Sequence, residues 1–221
     1  TAAVAALTTA QIVALTSVAV VGFTTAQMVA LTSTQIAAIE TADLRAMSHT
    51  QIAAIEAADF VAINSSQAVA LQTIDLDALS TAQLAQLPPT SIAALDSIQL
   101  GALGTQDVAA LTTAQIASLV PGQIPSITTN QLRALTTTQF QAIEATDLAS
   151  LTTSQVVSLT TSQIRDLTVT QITALTNAQL AALTSSQVGA IERLDLAQIS
   201  NALPTSQFAY LQSSQLKNIS L

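Results

Sequence analysis

Residues 112–119 read Thr-Thr-Ala-Gln-Ile-Ala-Ser-Leu, and the same eight-residue pattern recurs along nearly the whole chain. It runs from Thr8 to Ile199 through 24 octads in unbroken register. The eighth position is Leu, Ile, Met or Phe in every octad, and the fifth is a large apolar residue in all but one, where Ala68 stands. The chain is therefore a tandem repeat protein.

The period of eight excludes one continuous helix and a simple strand. At about 100° per residue, the apolar pair would drift by about 80° per octad around a helix. In a strand, positions five and eight would point to opposite faces. Ser or Thr at position one and Gln at position four form the capping-box signature. Each octad is thus predicted to be a short helix that restarts at its own cap, with positions five and eight on one face.

A second period of sixteen residues is visible between Thr32 and Ile127. Octads that open with a good N-cap residue alternate there with octads that do not, and most of the second kind carry Asp at position four. We expect the preceding helix to run on through the opening Glu, and Asp59 to cap the next helix. The predicted fold is an all-α repeat solenoid of short capped helices, with two octads (16 residues) per coil, stacked into an elongated rod.

The domain prediction is a single array over residues 1–221, with octads in register over 8–199. Residues 120–135 are expected to form an irregular coil with a phase slip, because Pro121, Gly122 and Pro125 disfavour a regular helix there. Residues 200–221 are expected to be an atypical C-terminal cap, since twelve residues, Ser200 to Leu211, stand where eight are expected.

Composition narrows the possible functions. Charged residues make up 8% of the chain and the formal net charge is -8. Phosphate binding needs clustered basic residues, so nucleic-acid binding is not expected. Thr16 and Ser17 interrupt the most apolar stretch, which predicts no membrane span. There is no cysteine, and the scarcity of Lys fits an exported bacterial protein that is processed or excised. The basic residues are scattered singly: Arg45, Arg133, Arg165, Arg193 and Lys217.

No residue pattern indicates catalysis, a cofactor or a metal. His49 is the sole histidine, which excludes His-pair metal sites, and its octad position indicates a surface side chain. Glu-x-x-Asp pairs could resemble hydrolytic or calcium carboxylates, but calcium needs about six to eight oxygens from a turn-rich loop, and capping explains the Asp better. The chain is predicted not to be an enzyme. These pairs are Glu40/Asp43, Glu56/Asp59, Glu144/Asp147 and Glu192/Asp195.

The run Leu-Thr-Thr-Ala-Gln-Ile-Ala-Ser-Leu at residues 111–119 resembles the octad arrays of very long, repetitive bacterial proteins often labelled as haem-utilisation or adhesion proteins. The resemblance extends over nearly the whole chain and implies a secreted or surface-attached structural role. It carries no catalytic motif. The haem part of that label finds no support, because His49 has no partner and no Cys is present.

Two functions follow as hypotheses. The first is a spacer or stalk of an extracellular or cell-surface protein, which could self-assemble into a fibre because its open ends associate end to end. The alternative is a binding module that presents a regular Thr/Ser face to ice, a polysaccharide or a peptide. Few charges discourage self-association, which favours the first.

Overall fold

The structure is a computed structural model that describes residues 2–216. Within that range the chain forms short helices and no strand. The predicted all-α repeat solenoid of short helices is therefore confirmed. The chain divides into two compact units, Thr1–Ser118 and Leu119–Leu221.

Unit 1 contains fourteen α-helices and one 3₁₀ helix within the described residues. They are α1 (Ala2–Ala5), α2 (Thr9–Val13), α3 (Ser17–Val21), α4 (Thr25–Met28), α5 (Ser33–Ala37), α6 (Thr41–Ala46), α7 (His49–Ala53), the 3₁₀ helix Ala57–Ala62, α8 (Ser65–Ala70), α9 (Thr73–Ala78), α10 (Thr81–Gln86), α11 (Pro89–Ala94), α12 (Ser97–Ala102), α13 (Thr105–Ala110) and α14 (Thr113–Ala117).

Unit 2 has the same construction over its described residues. Its elements are the 3₁₀ helix Ile124–Ser126, α15 (Thr129–Ala134), α16 (Thr137–Gln141), α17 (Ala145–Leu148), α18 (Thr153–Ser158), α19 (Thr161–Arg165), α20 (Val169–Ala174), α21 (Asn177–Ala182), α22 (Ser185–Ala190), α23 (Arg193–Ile199), the 3₁₀ helix Thr205–Tyr210 and α24 (Ser213–Leu216).

Capping boxes set the start of most helices, as predicted. At α15 the Thr128 hydroxyl accepts from the Gln131 amide at 3.2 Å, and the Thr128 amide donates to Gln131 Oε1 at 2.7 Å. The helix ends one octad later because Leu135 is extended, with φ -61° and ψ 132°. Each octad thus satisfies its first amides locally and then turns the chain for the next helix.

The core is a column of aliphatic side chains from positions five and eight. Ile172 and Leu175 of one octad are 0% and 7% exposed. Even Ala68, the one small residue at position five, is fully buried. The predicted inside face is confirmed, and it follows from the i, i+3 spacing of the two apolar positions.

The length of one coil differs from the prediction. Helices pack on the helix three elements earlier, as α11 does on α8 and α22 on α19. Gln67 Nε2 donates to the Ile39 carbonyl, 28 residues earlier, and to the Ile36 carbonyl, 31 residues earlier. One coil therefore holds about 28 residues, or three and a half octads. The prediction of two octads (16 residues) per coil is wrong, because contacts between coils have the longer spacing.

The predicted helix extension in the Glu octads is also wrong. The 3₁₀ helix that contains Asp59 begins at Ala57, in the usual register, and the next helix, α8, is capped by Asn64, which accepts from the Gln67 amide at 3.0 Å. The sixteen-residue alternation therefore changes the capping groups and leaves the helix positions unchanged.

Two local irregularities lie where proline occurs. Residues 120–123 form a turn in which the Gln123 amide donates to the Val120 carbonyl at 2.8 Å. Near the C-terminus, Gln207 Nε2 donates to the Leu183 carbonyl, 24 residues earlier. That coil is four residues shorter because residues 200–203 stand in place of a full octad, with Leu203 buried at its end. Lys217 lies outside the described residues.

Candidate functional site

The glutamine at position four joins one coil to the coil before it. In α22, Gln187 Oε1 accepts from the Thr184 amide at 2.9 Å. Its Nε2 donates to the Val156 and Leu159 carbonyls of an octad in the previous coil, at 2.8 and 2.9 Å. One side chain thus satisfies an amide at its own helix start and carbonyls at the end of another helix.

This arrangement recurs in both units and forms a ladder between coils. Each glutamine is almost fully buried, so its amide group replaces water for the carbonyls that it meets. The ladder residues with donated bonds at separations of 28 and 30 or 31 are Gln35, Gln51, Gln67, Gln83, Gln99, Gln115, Gln155, Gln163, Gln171, Gln179 and Gln187.

Sequence reasoning identified the capping half of this role and missed the donating half. A signal for it exists, because 16 of the 24 fourth positions carry Gln and none carries Glu. A capping box accepts either residue, and a helix N-terminus favours the negative one. Preference for Gln therefore indicates a need for the amide donor.

Aspartate at position four keeps only the accepting half. Asp75 Oδ2 accepts from the Gln72 amide at 2.7 Å, as Gln would. The carboxylate cannot donate downward, and the neighbouring Gln72 side chain donates to the Arg45 carbonyl at 3.1 Å. In another such octad, Ser17 of the previous coil donates its hydroxyl to Asp43 at 2.7 Å. Asp octads therefore recruit different groups between coils.

Burial raises the pKa of four of these carboxyls, Asp59, Asp75, Asp147 and Asp195, above the ordinary value. For Asp75, the Gln72 amide and nearby His49 act in the opposite direction and reduce the rise in pKa. Its Oδ1 is buried and has no hydrogen-bond partner among the described residues. A protonated carboxyl can donate like the glutamine amide, whereas the charged form cannot.

The carboxylate pairs of the sequence do not converge on a site. The Glu of each pair is exposed, while the Asp lies deeper, against its own helix start. His49 is exposed, as expected. Residues 2–216 contain no group of three or more His, Asp or Glu side chains that could hold a metal ion. Nor is any helix in that range of a length to cross a bilayer, since the longest, α23, has seven residues.

The surface hydroxyls do not form the continuous columns that the sequence suggested. A coil of about 28 residues places position two of one octad over position six of another. Thr41 consequently lies between Val13 and Val69, which are 47% and 43% exposed. Each exposed column alternates hydroxyl and aliphatic side chains, and the hydroxyl at position one is already occupied as an N-cap.

One open groove lies on the surface of unit 1, with a volume of about 650 Å³. It is lined by polar side chains that include Glu40, Thr41, Asn64, Ser65 and Ser66. The Ser65 hydroxyl donates to the Thr90 carbonyl at 3.0 Å. Hydroxyl, amide and carboxylate groups in a shallow groove suit a ligand rich in hydroxyl groups.

Comparison with known families places the repeat among described ones. Three segments match the model of the ALTTAQ repeat, at residues 4–38, 36–73 and 140–177. The sequence Ala-Leu-Thr-Thr-Ala-Gln itself occurs at residues 6–11, across the junction between two octads. The matches fall in both units, so the chain is similar to this repeat in each of them. No curated protein matches the chain.

Proposed function

We propose that this repetitive structural segment acts as a spacer, or stalk, of an extracellular bacterial protein attached to the cell surface. The observation that carries the proposal is the glutamine ladder, which ties every coil to the coil before it over an aliphatic core. Because each coil repeats the same contacts, coils can be added without redesign of the fold. The proposal includes no catalytic activity.

A spacer must lengthen by a fixed step for each coil. Neighbouring helices pack about 8 to 10 Å apart, so each coil of about 28 residues adds that much to a unit. Seven octads equal two coils, which makes about 56 residues the shortest insertion that preserves both periods. Duplication of residues 32–87 within unit 1 meets this condition.

The experiment measures the distance between spin labels at Ala14→Cys and Ile98→Cys by double electron–electron resonance. Both positions are exposed, and the chain has no other cysteine. The duplication is expected to increase the distance by about 16 to 20 Å, the height of two coils. An unchanged distance would contradict the spacer role.

The matched control duplicates only residues 32–47, which add two octads and slightly more than half a coil. Every ladder glutamine after the insertion then meets the wrong carbonyls. We expect lower thermal stability and a broad distance distribution. If this variant were as stable and as regular as the longer one, the ladder would not define the coil.

The extracellular location is supported by the absence of cysteine and by the low number of charged residues. Brief proteolysis of intact cells that produce the protein tests it, since a surface stalk is cleaved while cytosolic markers survive. Protection of the chain until the cells are lysed would contradict the surface location.

A second candidate is a polysaccharide-binding module, and the groove lined by Thr41, Asn64 and Ser66 favours it. A glycan array tests this candidate directly. We expect Ser66→Val to abolish any specific signal and Thr113→Val, an exposed change outside the groove, to preserve it. Absence of binding to every glycan would leave the spacer as the function.

A further inference from the structure

The first coil of unit 1 exposes apolar side chains that later coils bury. Leu7, Leu15 and Phe23, all at position eight, are half-buried. The next residues at this position, Leu31 and Ile39, are 3% and 5% exposed. Position five of the first coil is already covered, with Ile12 only 1% exposed. We call this side of residues 2–28 the N-face; it lacks the cover of a preceding coil.

The N-face also presents glutamine donors. Gln11 and Gln27 make the usual bonds within their octads, since Oε1 accepts from the Thr8 and Thr24 amides at 2.8 Å. Among the described residues, neither side chain donates to a carbonyl of another coil. Gln35, by contrast, donates to the Leu7 carbonyl at 2.7 Å. Two rungs of the ladder therefore point away from the unit with their donors available.

The last coil of unit 2 has the opposite character, on a side that we call the C-face. Leu216, at position five, is 48% exposed and Phe208 is half-buried, whereas position five inside the array is buried. The last described ladder glutamine, Gln215, donates to the Val188 and Ile191 carbonyls. No glutamine among the described residues reaches the ends of the helices after Ile191.

We propose that the N-face of one copy of this chain docks on the C-face of a second copy. The N-face offers position-eight apolar side chains and amide donors, while the C-face offers position-five apolar side chains and carbonyl acceptors. The contact would continue the coil-to-coil interface already present inside each unit. This inference rests on the proposed structural role and names its partner, a second copy of the chain.

The two faces differ, so the contact is heterologous, and each added copy exposes a new C-face or N-face. Heterologous contacts build open assemblies unless a rotation closes them. Identical faces would instead stop at a symmetric dimer. The stoichiometry of the assembly therefore distinguishes head-to-tail docking from symmetric pairing.

The N-face variant is Gln11→Glu combined with Gln27→Glu. Glutamate preserves both capping boxes, so the variant keeps its fold, but it replaces two donors with carboxylates that face carbonyl oxygens. The matched control, Gln106→Glu with Thr113→Glu, adds the same charge at exposed positions away from the N-face. The C-face variant is Leu216→Lys. Circular dichroism verifies the helix content of each variant.

Sedimentation velocity over a range from micromolar to millimolar protein tests the proposal. The wild type and the control are expected to form a growing series of oligomers. Each face variant alone is expected to associate at least about tenfold more weakly, because an unpaired charge enters the contact. An equal mixture of the two face variants is expected to stop at dimers, since one intact N-face meets one intact C-face.

Three outcomes overturn the proposal: a wild type that stays monomeric, an N-face variant that associates like the wild type, or a C-face variant that dimerises alone. The last would indicate symmetric pairing of N-faces. Failure here is separate from failure of the spacer role, because the spin-label distance within unit 1 is measured on dilute monomer.

Discussion

Removal of one ladder glutamine should destabilise the chain mainly through the coil below it. Consider Gln187→Met, which keeps the side-chain size and helix propensity but removes every hydrogen bond. The Leu159 carbonyl loses its donated bond of 2.9 Å, and the Thr184 amide loses its acceptor at 2.9 Å. The Val156 carbonyl still accepts from the Leu159 amide. Two buried or partly buried groups lose partners.

Each such group costs about 1 to 3 kcal/mol, so Gln187→Met should lower the free energy of unfolding by about 2 to 5 kcal/mol. The structure offers a matched control in Gln11→Met. Gln11 makes the same bonds within its octad, at 2.8, 3.2 and 3.3 Å. It is exposed, so water replaces the lost bond, and we expect a loss of about 0.5 to 1 kcal/mol.

Urea denaturation of dilute protein measures both losses. Equal losses at the two sites would refute the ladder as a source of stability, because only Gln187 bonds to another coil. Gln187→Glu separates the donor from the size of the side chain. The glutamate should destabilise at neutral pH and recover as the pH falls, since only its protonated form donates.

Three further predictions address the core, the buried carboxyls and the coil. Ile172→Ala, at a fully buried site, should cost about 2 to 5 kcal/mol by urea denaturation, while exposed Thr153→Ala should cost under about 0.5 kcal/mol; equal costs would invert the assigned faces. The pKa of Asp75 is raised in the folded state, so its contribution to stability is present at low pH and lost as the pH rises above 3.8 through the folded pKa. Asp75→Asn should therefore raise the melting temperature at neutral pH and weaken this pH dependence, and a lower melting temperature there would contradict it. Spin labels at Val18→Cys and Ile74→Cys, 56 residues or two coils apart, should lie about 16 to 20 Å apart; coils of 16 residues would separate them by about 30 Å.

Local features of the fold were predictable because the octad encodes them within eight residues. Thr128 and Gln131 lie three positions apart, which is the reach of a capping box, and Leu132 and Leu135 share a helical face. The helix starts and the aliphatic core follow from such short spacings. They require no knowledge of how the coils stack.

The coil length was not predictable from the same spacings. It depends on the angle between successive short helices, which is set by the backbone of the residue after each helix, such as Leu135. The alternation of Glu40 and Ser48 octads suggested two octads per coil, but it reflects a choice between capping groups. A period in the sequence does not define a period in space unless the turn angle is known.

The half-integral number of octads per coil explains why this array suits a mechanical role. Because a coil holds about three and a half octads, the breaks between helices in one coil do not lie over the breaks in the next. Helix α22 packs on α19, while its Gln187 donates to the carbonyl end of the octad that contains α18. Each helix is therefore joined to two successive octads of the previous coil. Separation of two coils must break packing with one octad and hydrogen bonds to the other together, so resistance to extension is shared across every junction.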